Sequence, residues 1–110
     1  MSFSQYEGDL MGLPTNENHL VYKWSDGNIL FSMTKRGKAA SCHFASDSQS
    51  IRGVKDAINE FVPFVFKEFK WCKMVLAVIC RPSIERIVGK CGFEEVTRNE
   101  NAALYVRVKK

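Results

Sequence analysis

The stretch from Ile51 to Phe69 constrains this chain most. Ile51, Val54, Ile58, Phe61, Val62, Val65, Phe66 and Phe69 recur at helical spacing, and runs rich in strand-forming residues lie on both sides. The polar "SDSQS" ahead of it is rich in residues that cap helices. A long amphipathic helix over about 51–69 between two strands implies a right-handed crossover and parallel pairing of those strands. Pro63 interrupts the pattern: it lacks the N–H that would bond back to Asn59, a loss of about 3 kcal/mol, and predicts a kink or break.

The flanking segments fill in the order. "HLVYKW" and "ILFSMT" flank "SDGN", an Asp26-Gly27 turn of the kind that favours positive φ, and read as a hairpin. "KRGK" turns again around Gly37, and "AASCHFA" follows with small residues suited to a buried strand. Beyond the helix, "KMVLAVI" reads as a central strand covered on both faces. Pro82 suits a first helical turn, Ile84, Ile87 and Val88 give a second apolar stripe, and Gly92 supplies a left-handed stop. Phe93 then drops into the core, and "FEEVTR" and "AALYVRV" around "NEN" close a last hairpin. The fold class is α/β with a mixed sheet, order βββ-α-β-α-ββ, in one domain over 1–110. Residues 1–17 are expected to form a loosely ordered arm with at most one short element, from which Leu10, Met11 and Leu13 can dock.

A net charge of +4 over 110 residues suits an anionic partner. The cations fall in separate groups (Lys35, Arg36, Lys38; Lys67, Lys70, Lys73; Lys109, Lys110), which argues against a dedicated nucleic-acid stripe. Cys42, Cys72, Cys80 and Cys91 lack zinc-ligand spacing, so no metal is expected, and buried reduced thiols in a cytoplasmic protein fit better. No apolar run reaches the roughly 18 residues of a membrane span.

From "KMVLAVI" through "PSIERIVGK", "CGFEEV" and "LYVRV", the chain resembles the C-terminal half of the GNAT N-acetyltransferases, whose segment runs strand, N-x-x-A/S helix, Leu-Tyr-x-x-x-Gly-Phe, strand. The resemblance spans roughly 39–108. It implies a GNAT-like mixed sheet that binds acetyl-CoA and transfers the acetyl group to a primary amine. The family's pyrophosphate loop, Gln/Arg-x-x-Gly-x-Gly/Ala, corresponds to "SIRGVK": Gly53 is kept, while Ser50 and Lys55 replace the first and last signature residues. The resemblance thus assigns the coenzyme to Ser50, Ile51, Arg52, Gly53, Val54 and Lys55, with the backbone of Phe44 and Ala45. The tyrosine that protonates the departing thiolate falls at Val88 and the helix-opening asparagine at Cys80, and neither replacement does the original work. Only the 1–17 arm stands where the family has its first strand and two helices, a trimming similar to reduced GNAT-like proteins of tailed bacteriophages.

The candidate catalytic residues are His43, on the third strand, and Tyr105, on the last. An imidazole accepts a proton near neutral pH; Tyr105 is the candidate for the missing proton donor. Glu94 and Glu95 are candidates to orient an amine. Cys80 and Cys91 are expected to be inert buried thiols, and the aromatic run "FVPFVFKEFKW" core instead of a base-stacking platform. Two other readings stand beside the enzyme: a GNAT-fold interaction protein without activity, and a small basic protein that binds nucleic acid or inhibits a host factor. An uncovered sheet edge predicts a homodimer.

Overall fold

A computed structural model describes residues 3–8, 20–46, 50–80 and 82–109, with the side chains of Ser50, Ile51 and Pro82 outside the description. Leu10, Met11 and Leu13 lie outside the described residues. The chain forms β1 (Phe3–Gln5), β2 (Leu20–Trp24), β3 (Ile29–Arg36), β4 (Ala39–Ser46), a 3-10 turn (Ser50–Gly53), α1 (Val54–Glu68), β5 (Met74–Ile79), α2 (Pro82–Lys90), β6 (Glu94–Arg98) and β7 (Ala103–Val108). One mixed sheet runs β1-β2-β3-β4-β5-β7-β6, and the β4–β5 pair across α1 is parallel as the crossover requires.

Register shows which face is covered. Tyr22, Phe31, Phe44, Cys42, Ala77 and Tyr105 share one face through their pairings. Both helices lie on that face, packed against each other, with Phe31 and Phe61 stacked at 4.2 Å between β3 and α1. Phe3, Tyr22, Phe61 and Phe64 extend this aromatic cluster. The second face of β5 is therefore not covered as predicted: Val78 is 47% exposed, because both crossovers place their helices on the same side.

Three further points of the sequence reading are settled or change. The one short element allowed for in the 1–17 arm is a strand, Phe3–Gln5, where the resemblance implied that a first strand is lacking; it pairs with β2, and Phe3 is 2% exposed beneath Phe64 and Phe61, so burying one ring anchors it. The helix does not break at Pro63; both Pro63 and Asn59 are exposed, so the carbonyl that proline leaves without a helical partner is open to solvent. Positive φ occurs at Gly37 (64°) and Gly92 (85°) and not at Gly27, since the β2–β3 loop is four residues long and no two-residue turn is needed there.

Gly92 ends α2 as the sequence predicts, and Phe93 is buried behind it. Cys42, Cys72 and Cys91 are buried free thiols, whose deprotonation burial makes harder. Cys80 is exposed, contrary to expectation, because it follows the last residue of β5.

Candidate active site

The parallel pair β4–β5 is laced only from Ala39↔Met74 to Cys42↔Ala77. Both strands continue: His43–Ser46 and Val78–Ile79 have no partner in each other and diverge. A cleft of about 650 Å³ opens between them, with His43, Phe44, Ala45 and Ser46 on one wall and Val78, Ile79 and Cys80 on the other. Its floor is apolar, made by Phe61 and Val62 of α1, Val88 of α2 and Phe93. Beyond Cys42 and Ala77 the facing strands are not laddered to each other, so the walls from Phe44 onward suit an extended ligand with amide groups of its own.

The 3-10 turn runs directly into α1, and this continuous run begins at the same end of the sheet as the cleft, so the N–H groups that open it stand at that end. Arg52 and Lys55 are exposed beside them and add positive charge to the helix dipole. Gly53 is the N-cap residue with φ −89° and ψ 0°, which any residue adopts. Its reason to be glycine is Trp24: a Cβ there would stand 2.9 Å from the indole ring. The same indole donates from Nε1 to Glu60 Oε2 at 3.1 Å, fixing the ring against α1. The glycine shared with the GNAT signature therefore has a packing role in this chain.

The candidate residues divide. His43, Phe44 and Ala45 line the cleft, and the backbone of 50–55 starts the helix at the same end. Tyr105 lies one strand away, opposite Ala77, and does not line the cleft. Its phenol donates to Glu85 Oε1 at 2.8 Å, and Glu85 also accepts from Arg98, which donates to Glu95 as well. The bond to Glu85 raises the Tyr105 pKa, while the bond from Tyr105, then Arg98, lowers that of Glu85. A phenol so held is a poorer acid than a free one. Glu94 and Glu95 lie on the exposed edge strand β6, away from the cleft. Val88 is 2% exposed and gives the floor no proton. The parting of β4 and β5 was not legible in sequence, because both strands keep strand-forming residues beyond the point where pairing stops.

No protein-family model matches the sequence, and no curated protein matches it. The fold does have counterparts among solved structures. The N-acetyltransferase PseH of Campylobacter jejuni, in complex with acetyl coenzyme A, superposes with a TM-score of 0.73 at 8% identity, over 86% of this chain and 71% of that one. Spermidine N-acetyltransferase of Vibrio cholerae, in complex with CoA and spermine, gives 0.68 at 12% identity over 84% and 66%. The ribosomal-protein-S5-alanine acetyltransferase of Vibrio fischeri gives 0.67 at 15% over 83% and 62%. The chain thus spans about two thirds of the length of these proteins. It has the fold of the GNAT N-acetyltransferases, a mixed α/β sheet whose strand and helix order it shares.

Proposed function

We propose that the chain binds an acyl-coenzyme A, with acetyl-CoA the reference ligand, and presents its thioester to a primary amine. The observation that carries this reading is the end of β4–β5 pairing after Cys42 and Ala77, beyond which a cleft of about 650 Å³ opens between the two strands. The amide-bearing pantetheine arm lies along the β4 wall, bonded to the backbone of Phe44 and Ala45. The pyrophosphate sits on the N–H groups of Ser50 to Lys55, with Arg52 and Lys55 supplying charge. The acyl group and thioester carbon reach the apolar floor at Val88 and Phe93. PseH and the spermidine enzyme, crystallised with acetyl coenzyme A and with CoA and spermine, support coenzyme binding in this fold.

In the transfer, an amine nitrogen attacks the thioester carbonyl, the C–S bond breaks, CoA leaves as its thiolate and the amine loses one proton. In this reading His43, which lines the cleft, takes that proton. Positioning supplies most of the rate in such a reaction. Val88 offers no proton and Tyr105 holds its own in the hydrogen bond to Glu85, so the thiolate is protonated from solvent and turnover is slow.

Those same two residues favour a second reading, a coenzyme-binding domain without transfer. Calorimetric titration with acetyl-CoA, followed by an assay of free thiol with spermine as acceptor, separates the two. Binding with thiol release that His43→Ala abolishes supports the enzyme, and binding without release supports the second reading. No heat and no thermal shift at millimolar ligand overturns both.

A further inference from the structure

The cations that are scattered in the sequence meet in space. The sheet end opposite the cleft holds the β3–β4 turn, the C-termini of both helices, the start of β5 and the end of β7. Lys35, Arg36 and Lys38 come from the turn. Lys73 N–H donates to the Lys38 carbonyl at 2.7 Å and Lys109 N–H to the Lys73 carbonyl at 2.8 Å, so three distant segments are tied side by side. A groove of about 860 Å³ adjoins them, where Lys67, Lys70, Lys90, Arg107 and Lys109 face a single carboxylate, Glu94. None of these nine cations forms an ion pair among the described residues, whose two salt bridges both belong to Arg98.

Balancing the helix dipoles accounts for Lys67 and Lys90, each in a last turn. It does not account for Arg36, Lys38, Lys73 and Lys109 on strand ends. Arg107 is moreover fixed: it donates from Nη1 to the Cys91 carbonyl at 2.8 Å, and its side chain lies against Gly92. Aromatic surface accompanies the charge. Phe69 and Trp71 are half-buried at this end with ring centroids 5.6 Å apart, and Lys35 Nζ stands 4.9 Å from the Trp71 centroid.

The geometry points to a single-stranded nucleic acid bound across this end, its phosphates on the lysines and its bases on Trp71 and Phe69. An acidic peptide would use the charge but has no need of the aromatic faces, whereas a single strand uses both. The inference is independent of the acyl-transfer reading, since the two sites occupy opposite ends of the sheet.

Fluorescence anisotropy with a labelled oligothymidylate tests it. With about four phosphates engaged, log K falls against log salt with a slope of about −3, so affinity drops about 60-fold between about 50 and 200 mM salt. Lys70→Glu with Lys109→Glu, both exposed, weakens binding at least tenfold and flattens the slope, while Arg52→Glu with Lys55→Glu leaves it unchanged. Bound strand also quenches tryptophan emission, which reports Trp71 because Trp24 is buried. No salt-dependent binding, equal loss from both double variants, tighter binding of poly-glutamate of equal charge, or absence of quenching overturns the inference.

Discussion

The two proposed anion sites lie at opposite ends of the sheet and draw their positive potential from different sources. At the cleft end β4 and β5 part and the helices present their N-termini, so positive potential comes largely from the backbone. At the opposite end the same strands are laced together, the helices present their negative C-termini, and the positive potential comes from side chains. A backbone seat recognises one compact group in one orientation; a field of lysines accepts an extended chain in many. The same crossover through α1 sets the helix N-terminus at one end and its C-terminus at the other, so the two proposed sites do not overlap.

The largest effect is expected where both ends depend on one side chain. Phe61 is 1% exposed, stacks on Phe31 and forms part of the cleft floor. Phe61→Ala should cost about 3–5 kcal/mol, read by urea denaturation, and abolish binding at both ends. A loss at the cleft alone would mean the ends are not built on a common core. Next comes Gly53→Ala, which drives a Cβ into Trp24 and should destabilise by about 1–3 kcal/mol. In a double-mutant cycle with Trp24→Leu the two changes should couple by about 1 kcal/mol; additivity would return Gly53 to a direct role at the coenzyme. At the other end, Gly37→Ala places a Cβ at φ 64° with open space around it, so strain alone acts and costs about 1 kcal/mol, seen as a lower Tm with acetyl-CoA binding intact.

The smallest effect is the pH dependence of the Glu85 cluster. The folded-state pKa of Glu85 lies below its ordinary 4.5, through the bond from Tyr105 first and Arg98 next. Its stabilising contribution is therefore present above 4.5 and disappears as pH falls through the lower folded value. The Tm gap between the wild type and Glu85→Gln should be open at neutral pH and close in acid. A gap that widens in acid would contradict the assignment.

Much of the fold was legible because the pattern is local. The stripe from Val54 to Val65 buries one face of α1, and Gly92 with φ 85° followed by buried Phe93 makes the corner that the sequence spells out. What was not legible depends on what lies across space. Three residues of β1 give no periodicity, and Phe3 counts as core only because Phe61 and Phe64 are above it. Pro63 reads as a breaker until the helix is seen to turn it to solvent. The site divided likewise: His43, Phe44 and Ala45 do reach one cleft, but Tyr105 is committed to Glu85, a partner twenty residues away. The basic groups read as dispersed because Lys38, Lys73 and Lys109 become neighbours only through strand pairing.

The most direct test of the central claim is calorimetric titration of acetyl-CoA into the wild type and the two charge-reversed proteins. The account predicts sub-millimolar binding to the wild type, unchanged in Lys70→Glu/Lys109→Glu and weakened about tenfold in Arg52→Glu/Lys55→Glu, by analogy with charged contacts at helix N-termini. No heat from the wild type, or weakening by the groove variant instead, would contradict it.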